Sequence, residues 1–389
     1  MRIGIDYTAA RRQGAGIGRY ARELVDALLQ IETGNEYVLL SAEAGLRKSG
    51  GRARAGTVEP TPPGSVGVRR VGLPVSDRTL AIVWHRLRLP LWVELFCGPL
   101  DLFHSPDFTL PPVRRARTIL TVHDLSFMRL PECSDPKLRA YLLRSVPRSV
   151  RRADAVLADS ECTRRDLIEL LETPPERVRV LYAGVQEPFQ RVQEAALLDT
   201  VRAKYGLPAR FVLGLGTLQP RKNFERLIEA YALLATQAAP GIELVIAGEA
   251  GWMYEGIFRR VDELGLQGVV HLIGHVADGD LAALYTLAEL FVFPSLYEGF
   301  GLPPLEAMAC GTPVVASNVS CMPEVLGDAA LLVDPYDTKA IAEAMQSGLE
   351  DAALRGELIG RGLERARRFT WAAAAQKLLE VYREVGGDV

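Results

Sequence analysis

Residues 290–311 read LFVFPSLYEGFGLPPLEAMACG, a run that combines a strand, a glycine-rich loop and the start of a helix. The apolar residues 290–293 predict a strand that is buried on both faces. Gly299 and Gly301 allow the backbone to approach a ligand closely, and the proline pair at 303–304 suits the first turn of a short helix. A buried strand that leads through such a loop into a helix is the building unit of an open α/β sheet.

The same alternation of strand and helix extends in both directions from this unit. It predicts an α/β protein of two Rossmann-like lobes, the first at 1–190 and the second at 191–369, with a last helix at 370–389 that packs back on the first lobe. Residues 42–63 are rich in Gly, Arg and Pro and predict a mobile surface loop. The predicted strands are 2–7, 37–41, 66–71, 101–104, 118–122, 155–159 and 178–182, then 211–217, 243–247, 269–273, 290–293, 313–316 and 330–333.

Composition excludes several classes of protein. With 389 residues, 48% of them hydrophobic, the chain can bury a large core, and its net charge of -3 argues against binding a nucleic-acid backbone. The five cysteines are scattered without a C-x-x-C pair, which favours a reducing cytoplasm over a disulfide framework or a zinc site. The first residues indicate an opening strand and not a signal peptide, and charged residues interrupt the longest apolar stretch, so no spanning helix is expected.

Two carboxylates flank the quoted loop. Glu298 lies on it and Glu306 falls in the predicted helix, where we place it in the first turn. Ionised carboxylates accept several hydrogen bonds, so a pair that faces one crevice suits a hydroxyl-rich ligand. The alternative is that Glu306 only stabilises the helix dipole while Glu298 is solvated. The two acids together favour the ligand.

The two acids and the intervening Gly-Phe-Gly-Leu-Pro resemble the E-x7-E motif of the retaining glycosyltransferases of family 4, which have the GT-B fold. The resemblance implies two lobes that face a cleft, with an acceptor-side lobe at 1–190 and a nucleotide-sugar lobe at 191–369. That resemblance implies that Glu298 contacts the donor sugar, that the backbone of the loop supports sugar and diphosphate, and that Glu306 holds the nucleotide ribose. The loop residues are Gly299, Phe300, Gly301 and Leu302.

A second loop, Leu215-Gly-Thr-Leu-Gln-Pro-Arg-Lys-Asn223, also follows a strand and leads into a helix. Two adjacent cations at a helix start are unfavourable beside its dipole and require an anionic partner, which a diphosphate supplies. The family resemblance implies that Arg221 and Lys222 grip the donor diphosphate, with Thr217 on the same loop. A solvated basic turn is the alternative.

The first lobe contributes two further candidates. A glycine-rich loop after the first strand contains Gly16, but it lacks the G-x-G-x-x-G fingerprint, which disfavours a nicotinamide dehydrogenase. The resemblance implies that this loop closes over the donor phosphates, whereas a flexible surface turn is the alternative. His123, followed by Asp124 at the end of a buried strand, is our candidate for orienting donor sugar and acceptor. His104 also ends a strand and is expected to be structural or to line the cleft.

Asp278-Gly-Asp280 has the form of a metal-binding D-x-D pattern, but it precedes a helix. We expect Asp278 to act as the N-cap and Asp280 as a first-turn acid, and we predict no metal. The stretch that ends at Val276 follows another strand, and its counterpart in the family lines the nucleobase pocket. His271 falls inside that strand and is expected to be structural.

The resemblance implies metal-independent transfer of a sugar from a nucleotide diphosphate to an acceptor hydroxyl with retained configuration. Three local matches are closest to mannosyltransferases, which favours GDP-mannose as the donor: residues 219–223, 16–20 and 123–126. No other cofactor is expected. The implied acceptor is a glycan, polysaccharide or lipid-linked sugar of the cell envelope, and its identity, the linkage and the oligomeric state are not readable from the sequence.

Two other functions remain open at this point. A sugar-nucleotide epimerase of the same fold requires acid and base groups at the sugar, and a non-catalytic sugar-nucleotide-binding protein requires no intact catalytic set. The segment 139–152 carries several arginines on one helix. It either meets an anionic lipid or membrane surface, at the inner face of the membrane, or forms a solvated basic face.

Overall fold

The computed structural model describes residues 1–14, 16–31, 34–44, 67–185, 188–237 and 241–387. This part of the chain forms two compact units. The first comprises Met1–Leu125, Ala140–Ala183 and Trp371–Val389, and the second comprises Ser126–Arg139 and Gly184–Thr370. Each unit is built on one parallel sheet with interspersed helices, which confirms the predicted α/β class with two Rossmann-like lobes. Of the predicted loop at 42–63, residues 45–63 lie outside the described residues.

Both sheets are wholly parallel in the pairs formed by the described strands. The strand order is β3-β2-β1-β4-β5-β6-β7 in the first unit and β10-β9-β8-β11-β12-β13 in the second. Every predicted strand is confirmed, with ends that shift by at most two residues. The strands are β1 Arg2–Asp6, β2 Glu36–Ala42, β3 Val68–Leu73, β4 Leu102–Ser105, β5 Arg117–Val122, β6 Ala155–Ala158, β7 Val178–Val180, β8 Phe211–Leu215, β9 Glu243–Ala247, β10 Val270–Gly274, β11 Leu290–Phe293, β12 Val314–Ser317 and β13 Leu331–Val333.

Helices follow most of the strands. Ser160 caps the helix after β6, because its hydroxyl accepts a hydrogen bond of 3.1 Å from the amide of Thr163. A short π-helix spans Ala81–Arg86. The α-helices are α1 Thr8–Arg12, α2 Gly16–Leu29, α3 Asp77–Leu80, α4 Glu94–Cys97, α5 Ser126–Arg129, α6 Pro136–Arg152, α7 Glu161–Leu171, α8 Ala195–Tyr205, α9 Phe224–Gln237, α10 Glu255–Glu263, α11 Leu281–Leu287, α12 Leu302–Ala309, α13 Met322–Leu326, α14 Thr338–Glu350, α15 Ala352–Ala366 and α16 Trp371–Gly386.

The last helix, α16, belongs to the first unit and packs against α2. Its buried Tyr382 makes a hydrogen bond of 2.8 Å to Nδ1 of His104, while Nε2 of the same ring meets the hydroxyl of Thr121 at 2.9 Å. Burial, and then the nearby imidazole of His123, lower the pKa of His104 to about 3, so the ring is neutral. His104 is therefore a structural residue of the first unit.

This pairing predicts a measurable cost for Tyr382→Phe. The substitution removes one hydroxyl and leaves a buried imidazole nitrogen unpaired, so the free energy of unfolding is expected to fall by about 1–3 kcal/mol. Denaturant melts of the two proteins measure the difference. Tyr336→Phe, at an exposed tyrosine of the second unit, is the control and should change stability by less than about 0.5 kcal/mol. Equal losses for both variants would contradict the assignment.

The segment Ser126–Arg139 lies in sequence between β5 and the main part of α6, yet it clusters with the second unit. One reason is a hydrogen bond of 2.8 Å from the indole of Trp252 to the carbonyl of Cys133. The domain ranges drawn from the sequence placed this segment in the first lobe, so the structure differs from them here. The strand-helix pattern of the sequence continues through this segment, so it does not indicate that the segment belongs to the second unit.

The order of the second sheet determines where its functional loops meet. Strand β8 pairs directly with β11, and both run in the same direction. Their carboxyl ends therefore lie side by side at one edge of the sheet, so the loops that follow them are neighbours. These loops contain the basic pair at 221–222 and the acid at 298 that the sequence analysis selected.

Candidate functional site

The loops after β8 and β11 are joined through their backbones and their charges. The amide of Leu296 donates a hydrogen bond of 2.9 Å to the carbonyl of Arg221. The Arg221 guanidinium donates to the carbonyl of Tyr297 at 2.6 Å and to Oε2 of Glu298 at 2.8 Å. Nζ of Lys222 donates to Oε1 of Glu298 at 2.6 Å. Two cations thus hold one carboxylate, and the three side chains sum to a charge of +1.

Lys222 is fixed from two more directions. Its Nζ lies 4.7 Å from the centre of the Phe293 ring, which a cation approaches favourably. Gly216 has φ 151°, and a Cβ there would lie 3.1 Å from Cε of Lys222, so a side chain at 216 would displace the lysine. The backbone glycine before Thr217 therefore makes room for the buried ammonium group.

The charge state of Glu298 follows from its surroundings. Burial opposes its ionisation, but Arg221 and then Lys222 outweigh that effect and lower the pKa from 4.5 to about 2. Its own amide donates to Ser320 Oγ at 3.1 Å. At neutral pH the Glu298 side chain is a fixed anion that accepts hydrogen bonds and cannot serve as a general acid.

The same pKa shift predicts a loss of stability in acid. The folded-state pKa is depressed, so the stabilisation is fully present above the unfolded-state value of 4.5 and disappears as the pH falls through about 2. A shift of this size corresponds to about 3 kcal/mol. Between pH 5 and pH 2 the wild type is expected to lose about that much free energy of unfolding, as measured by urea melts. In Glu298→Gln the free energy of unfolding should fall less steeply over the same range. Parallel acid profiles would contradict the shift.

The sequence analysis assigned a diphosphate as the anion required by the two adjacent cations. In the structure Glu298 supplies an anionic partner, so the two cations do not by themselves require a diphosphate. Their expected contact with one stays a prediction. The cations also lie in a 3-10 turn, Pro220–Lys222, that ends before α9 begins at Phe224.

The glycine-rich loop has the conformation that its residues predict. Gly301 caps α12 with φ 91°, a left-handed value that favours glycine, and a Cβ there would lie 2.3 Å from Cε of Met322. Leu302 begins the helix, and Phe300 is buried against the Phe369 ring, with centroids 5.5 Å apart. Gly299 precedes them on the same loop. The backbone amides at the start of α12 are therefore oriented by a glycine and not by a side-chain cap.

Glu306 lies on α12 beyond its first turn, so the placement in the first turn was wrong. Its Oε2 accepts a hydrogen bond of 2.9 Å from the buried hydroxyl of Tyr285 on α11. The residue is 1% exposed. A helix-dipole role is thereby excluded, because that effect is confined to the first turn. The expected contact with a ribose stays a prediction.

The remaining predicted residues of this unit sit on neighbouring loops. Thr217 lies where the chain after β8 bridges to the chain after β9, through Leu218 and Ala250. Val276, two residues beyond β10, is buried. Val276 and Thr217 thus follow strands of the same sheet as Glu298, at its carboxyl edge. Their contacts with a nucleotide stay predictions.

The D-x-D pattern has a different structure from the one expected. The N-cap position of α11 belongs to Asp280 and not to Asp278, and no side chain caps this helix. The Asp280 carboxylate instead accepts hydrogen bonds from Lys204 and from the hydroxyl of Tyr205. In the described ranges no group of three His, Cys, Asp or Glu is placed to hold a metal ion. His271, on β10, pairs with Glu243 of the neighbouring strand.

In the first unit, His123 ends β5 and is held at both ring nitrogens. Nδ1 lies 2.8 Å from Oδ2 of Asp159, and Nε2 lies 3.2 Å from the carbonyl of Pro106, which can only accept. Burial lowers the pKa of His123, but Asp159 outweighs burial and raises it to about 9. The ring is an imidazolium at neutral pH. A role at the sugar would therefore be that of a positive charge.

Gly16 is the first residue of α2, with φ 43°, and a Cβ there would meet no atom within 4 Å. The glycine of the loop thus starts the helix itself. The expected contact with donor phosphates stays a prediction.

Two residues that the sequence analysis did not select contribute to these arrangements. Asp159 follows β6, the neighbour of β5, so the rule that strand ends share one sheet edge could have placed it beside His123. Tyr285 had no comparable signal, because a tyrosine on an amphipathic helix usually belongs to the core.

Two family models match this chain, one in its first half and one in its second. Residues 14–187 match the family model "Glycosyltransferase Family 4", and residues 199–365 match "Glycosyl transferases group 1". The O-antigen chain mannosyltransferase B of Escherichia coli is 35% identical over 283 residues, 72% of this chain and 74% of that protein. The E. coli serotype-specific mannosyltransferase WbdA is 36% identical over 71% of this chain but only 35% of its own length.

Among solved structures, sucrose-phosphate synthase from Thermosynechococcus elongatus superposes with a TM-score of 0.75 at 24% identity, over 99% of this chain and 98% of that one. At this identity the likeness shows the fold alone, and the expected GT-B fold class is confirmed.

Proposed function

This chain belongs to glycosyltransferase family 4, and from that premise we propose that it transfers mannose from GDP-mannose to a hydroxyl of a glycan, polysaccharide or glycolipid acceptor. The transfer retains the anomeric configuration and uses no metal. The observation that carries the proposal is the cluster at the carboxyl edge of the second sheet, where Arg221 and Lys222 share the single carboxylate of Glu298.

The chemistry of the leaving group explains the cluster. In the proposed step the bond between the anomeric carbon and the diphosphate oxygen breaks, and its electron pair leaves with the diphosphate. A bond forms to the acceptor oxygen, whose proton passes to the departing phosphate. The negative charge that develops on the diphosphate is stabilised by Arg221 and Lys222, which are already oriented and desolvated. We assign the largest part of the rate enhancement to this preorganised positive charge.

Glu298 has a different part in the proposal. As a fixed anion with a pKa of about 2, it accepts hydrogen bonds from sugar hydroxyls and holds Lys222 in place. This property disfavours the epimerase alternative, because an ionised Glu298 supplies no proton to the sugar. The loop amides from Gly299 to Leu302 bind the diphosphate, and Glu306 accepts from the ribose. His123 contributes a positive charge near the reacting groups.

The choice of mannose rests on the relatives, and the choice of GDP rests on the resemblance of residues 219–223, 16–20 and 123–126 to mannosyltransferases. Two E. coli proteins at 35% and 36% identity are named as mannosyltransferases, one of them for the O-antigen chain. A cell-envelope polysaccharide is accordingly the acceptor class that we propose. We also propose a cytoplasmic site of action with peripheral contact at the inner face of the membrane. Over the residues that the structure describes, no helix is both long and apolar enough to cross a bilayer.

A donor panel tests the proposal. GDP-mannose, GDP-glucose, UDP-glucose and UDP-N-acetylglucosamine are compared by thermal shift and by slow hydrolysis without acceptor, each with and without EDTA. GDP-mannose is expected to raise the melting temperature by several degrees at saturating concentration, and EDTA should change neither readout. Lys339→Ala, at an exposed lysine of the second unit, serves as a control that binds like the wild type.

The panel separates the parts of the proposal. If no nucleotide stabilises the wild type, the donor site is wrong, whereas a preference for a UDP sugar overturns only the donor. Loss of turnover in EDTA would contradict the proposal that the transfer uses no metal. Proton NMR of the first product formed shows whether the anomeric configuration is retained.

A further inference from the structure

Exposed apolar side chains concentrate in one segment of the first unit. Of the twelve large apolar residues that the described part of the chain leaves exposed, five fall within residues 82–95. Such a concentration marks an interaction surface, because scattered single residues are the ordinary pattern. The five are Ile82, Leu87, Leu89, Leu91 and Leu95, and Leu87 and Leu95 are 58% and 61% exposed.

A cavity of about 200 Å³ opens beside these residues. Its wall comes from the chain after the π-helix, from Pro112 and Val113, and from one face of α6. The indole rings of Trp84 and Trp92 form part of it. Among the described residues that line it, all the charged ones are arginines: Arg88, Arg148 and Arg152. The cavity is therefore apolar at its sides and positive in charge.

The positive charge is built into α6. Arg148 and Arg152 are one turn apart, where like charges repel. Arg152 is held in place by hydrogen bonds of 3.0 and 2.7 Å to the carbonyls of Leu110 and Pro111, which carry no charge to neutralise it. The neighbouring His85 reflects the same field: burial, then Arg152 and Arg148, lower its pKa to about 4.

Two acids close to these residues in sequence, Glu94 and Asp154, are held by other groups, and Asp154 pairs with Arg117 at 2.9 Å. Oε1 of Glu94 accepts hydrogen bonds from the backbone amides of residues 114–116, at 2.8, 2.9 and 3.3 Å. Arg114 itself stacks over the Trp92 ring, with its guanidinium carbon 5.0 Å from the ring centre. A carboxylate committed to backbone amides leaves the guanidinium groups around the cavity to meet an external anion.

We propose that this face binds the phosphate group of an anionic membrane lipid. Arg148 and Arg152 hold the phosphate in the cavity, and the exposed leucines of residues 82–95 enter the adjoining acyl region. Trp92, which is partly exposed in the cavity wall, has the side chain that is enriched at bilayer interfaces. Guanidinium groups and a lipid phosphate are complementary in charge and in hydrogen-bond geometry. This site is separate from the donor chemistry, and its test requires no turnover.

Vesicle flotation of the full chain tests the proposal. The protein is mixed with vesicles of phosphatidylcholine alone or with added phosphatidylglycerol, at low and high salt. Binding is expected only with phosphatidylglycerol and is expected to weaken with salt. Arg148→Glu should reduce the partition coefficient by about tenfold or more, and the double change Leu87→Gln with Leu89→Gln should reduce it severalfold. Arg144→Gln, on the same helix but outside the cavity wall, and Leu264→Gln, on the second unit, are the matched controls.

A soluble arm distinguishes a lipid phosphate from a free one. Binding of inorganic phosphate and of pyrophosphate is measured by calorimetry on the wild type and on Arg148→Glu. The leucine variant should leave this arm unchanged and affect only vesicles. Arginine-dependent binding of phosphate without vesicle binding would overturn the membrane assignment, and so would equal flotation of all variants. Thermal shift with the donor nucleotide reports folding in each variant, so failure here is distinguishable from failure of the donor proposal.

Discussion

Replacing Lys222 with alanine is expected to lower kcat/KM for the sugar-nucleotide donor by about 100- to 1,000-fold. The ammonium group is 2.6 Å from Glu298, lies over an aromatic ring and is almost fully buried. A charge held in this way costs no reorganisation when the diphosphate leaves, and in a desolvated site it is worth far more than in water. The effect should appear mainly in kcat, because the charge on the leaving group grows towards the transition state.

The measurement requires initial rates with donor and acceptor varied separately, and a melting curve for each variant. Lys339→Ala is the control for loss of a lysine as such. Lys222→Arg keeps the charge but not the compact ammonium, so we expect an intermediate loss. A fall in kcat/KM of less than about threefold in a folded Lys222→Ala protein would show that Lys222 does not stabilise the leaving group.

The second large effect is expected for Glu298→Ala. Removing the carboxylate leaves Lys222 buried without its anion, and breaking a buried ion pair from one side typically costs about 3–5 kcal/mol. Because a donor diphosphate supplies an anion to the same cations, saturating GDP-mannose should restore part of this loss in Glu298→Ala. Turnover should still fall sharply, since the hydrogen bonds to the sugar are lost.

The exposed pair Arg210–Glu289 provides the matched comparison. Its side chains are 50% and 25% exposed, so Glu289→Ala should cost less than about 1 kcal/mol. Equilibrium unfolding of Glu298→Ala, Glu298→Gln and Glu289→Ala, with and without donor, measures these differences. Similar costs for Glu298→Ala and Glu289→Ala would show that the cluster is not a buried ion pair in solution.

The sequence predicted which residues form the cluster but not how they are connected. Strand periodicity and the loops after β8 and β11 selected Arg221, Lys222 and Glu298 separately. Their pairing depends on β8 and β11 being neighbours, and strand order is a long-range property that local pattern does not carry. The adjacent cations were therefore matched to a ligand, although part of their counter-charge lies 76 residues further along the chain.

His123 illustrates the same limit from the other unit. Its position at a strand end was predictable, and so was its polar neighbourhood. Its protonation was not, because the imidazolium state depends on Asp159, which belongs to the next strand of the sheet. The segment Ser126–Arg139 likewise belongs to the second unit because of a tertiary contact, the hydrogen bond from Trp252 to Cys133.

The assignment of α16 to the first unit has a consequence for biosynthesis. Residues 1–183 are synthesised long before Trp371. The first unit therefore lacks α16 while Gly184–Thr370 of the second unit is made. During that interval the surface of α2 that receives α16 is uncovered, and His104 lacks the hydroxyl of Tyr382. The second unit can be complete in sequence before the first, because the first completes its core only after α16 has been made.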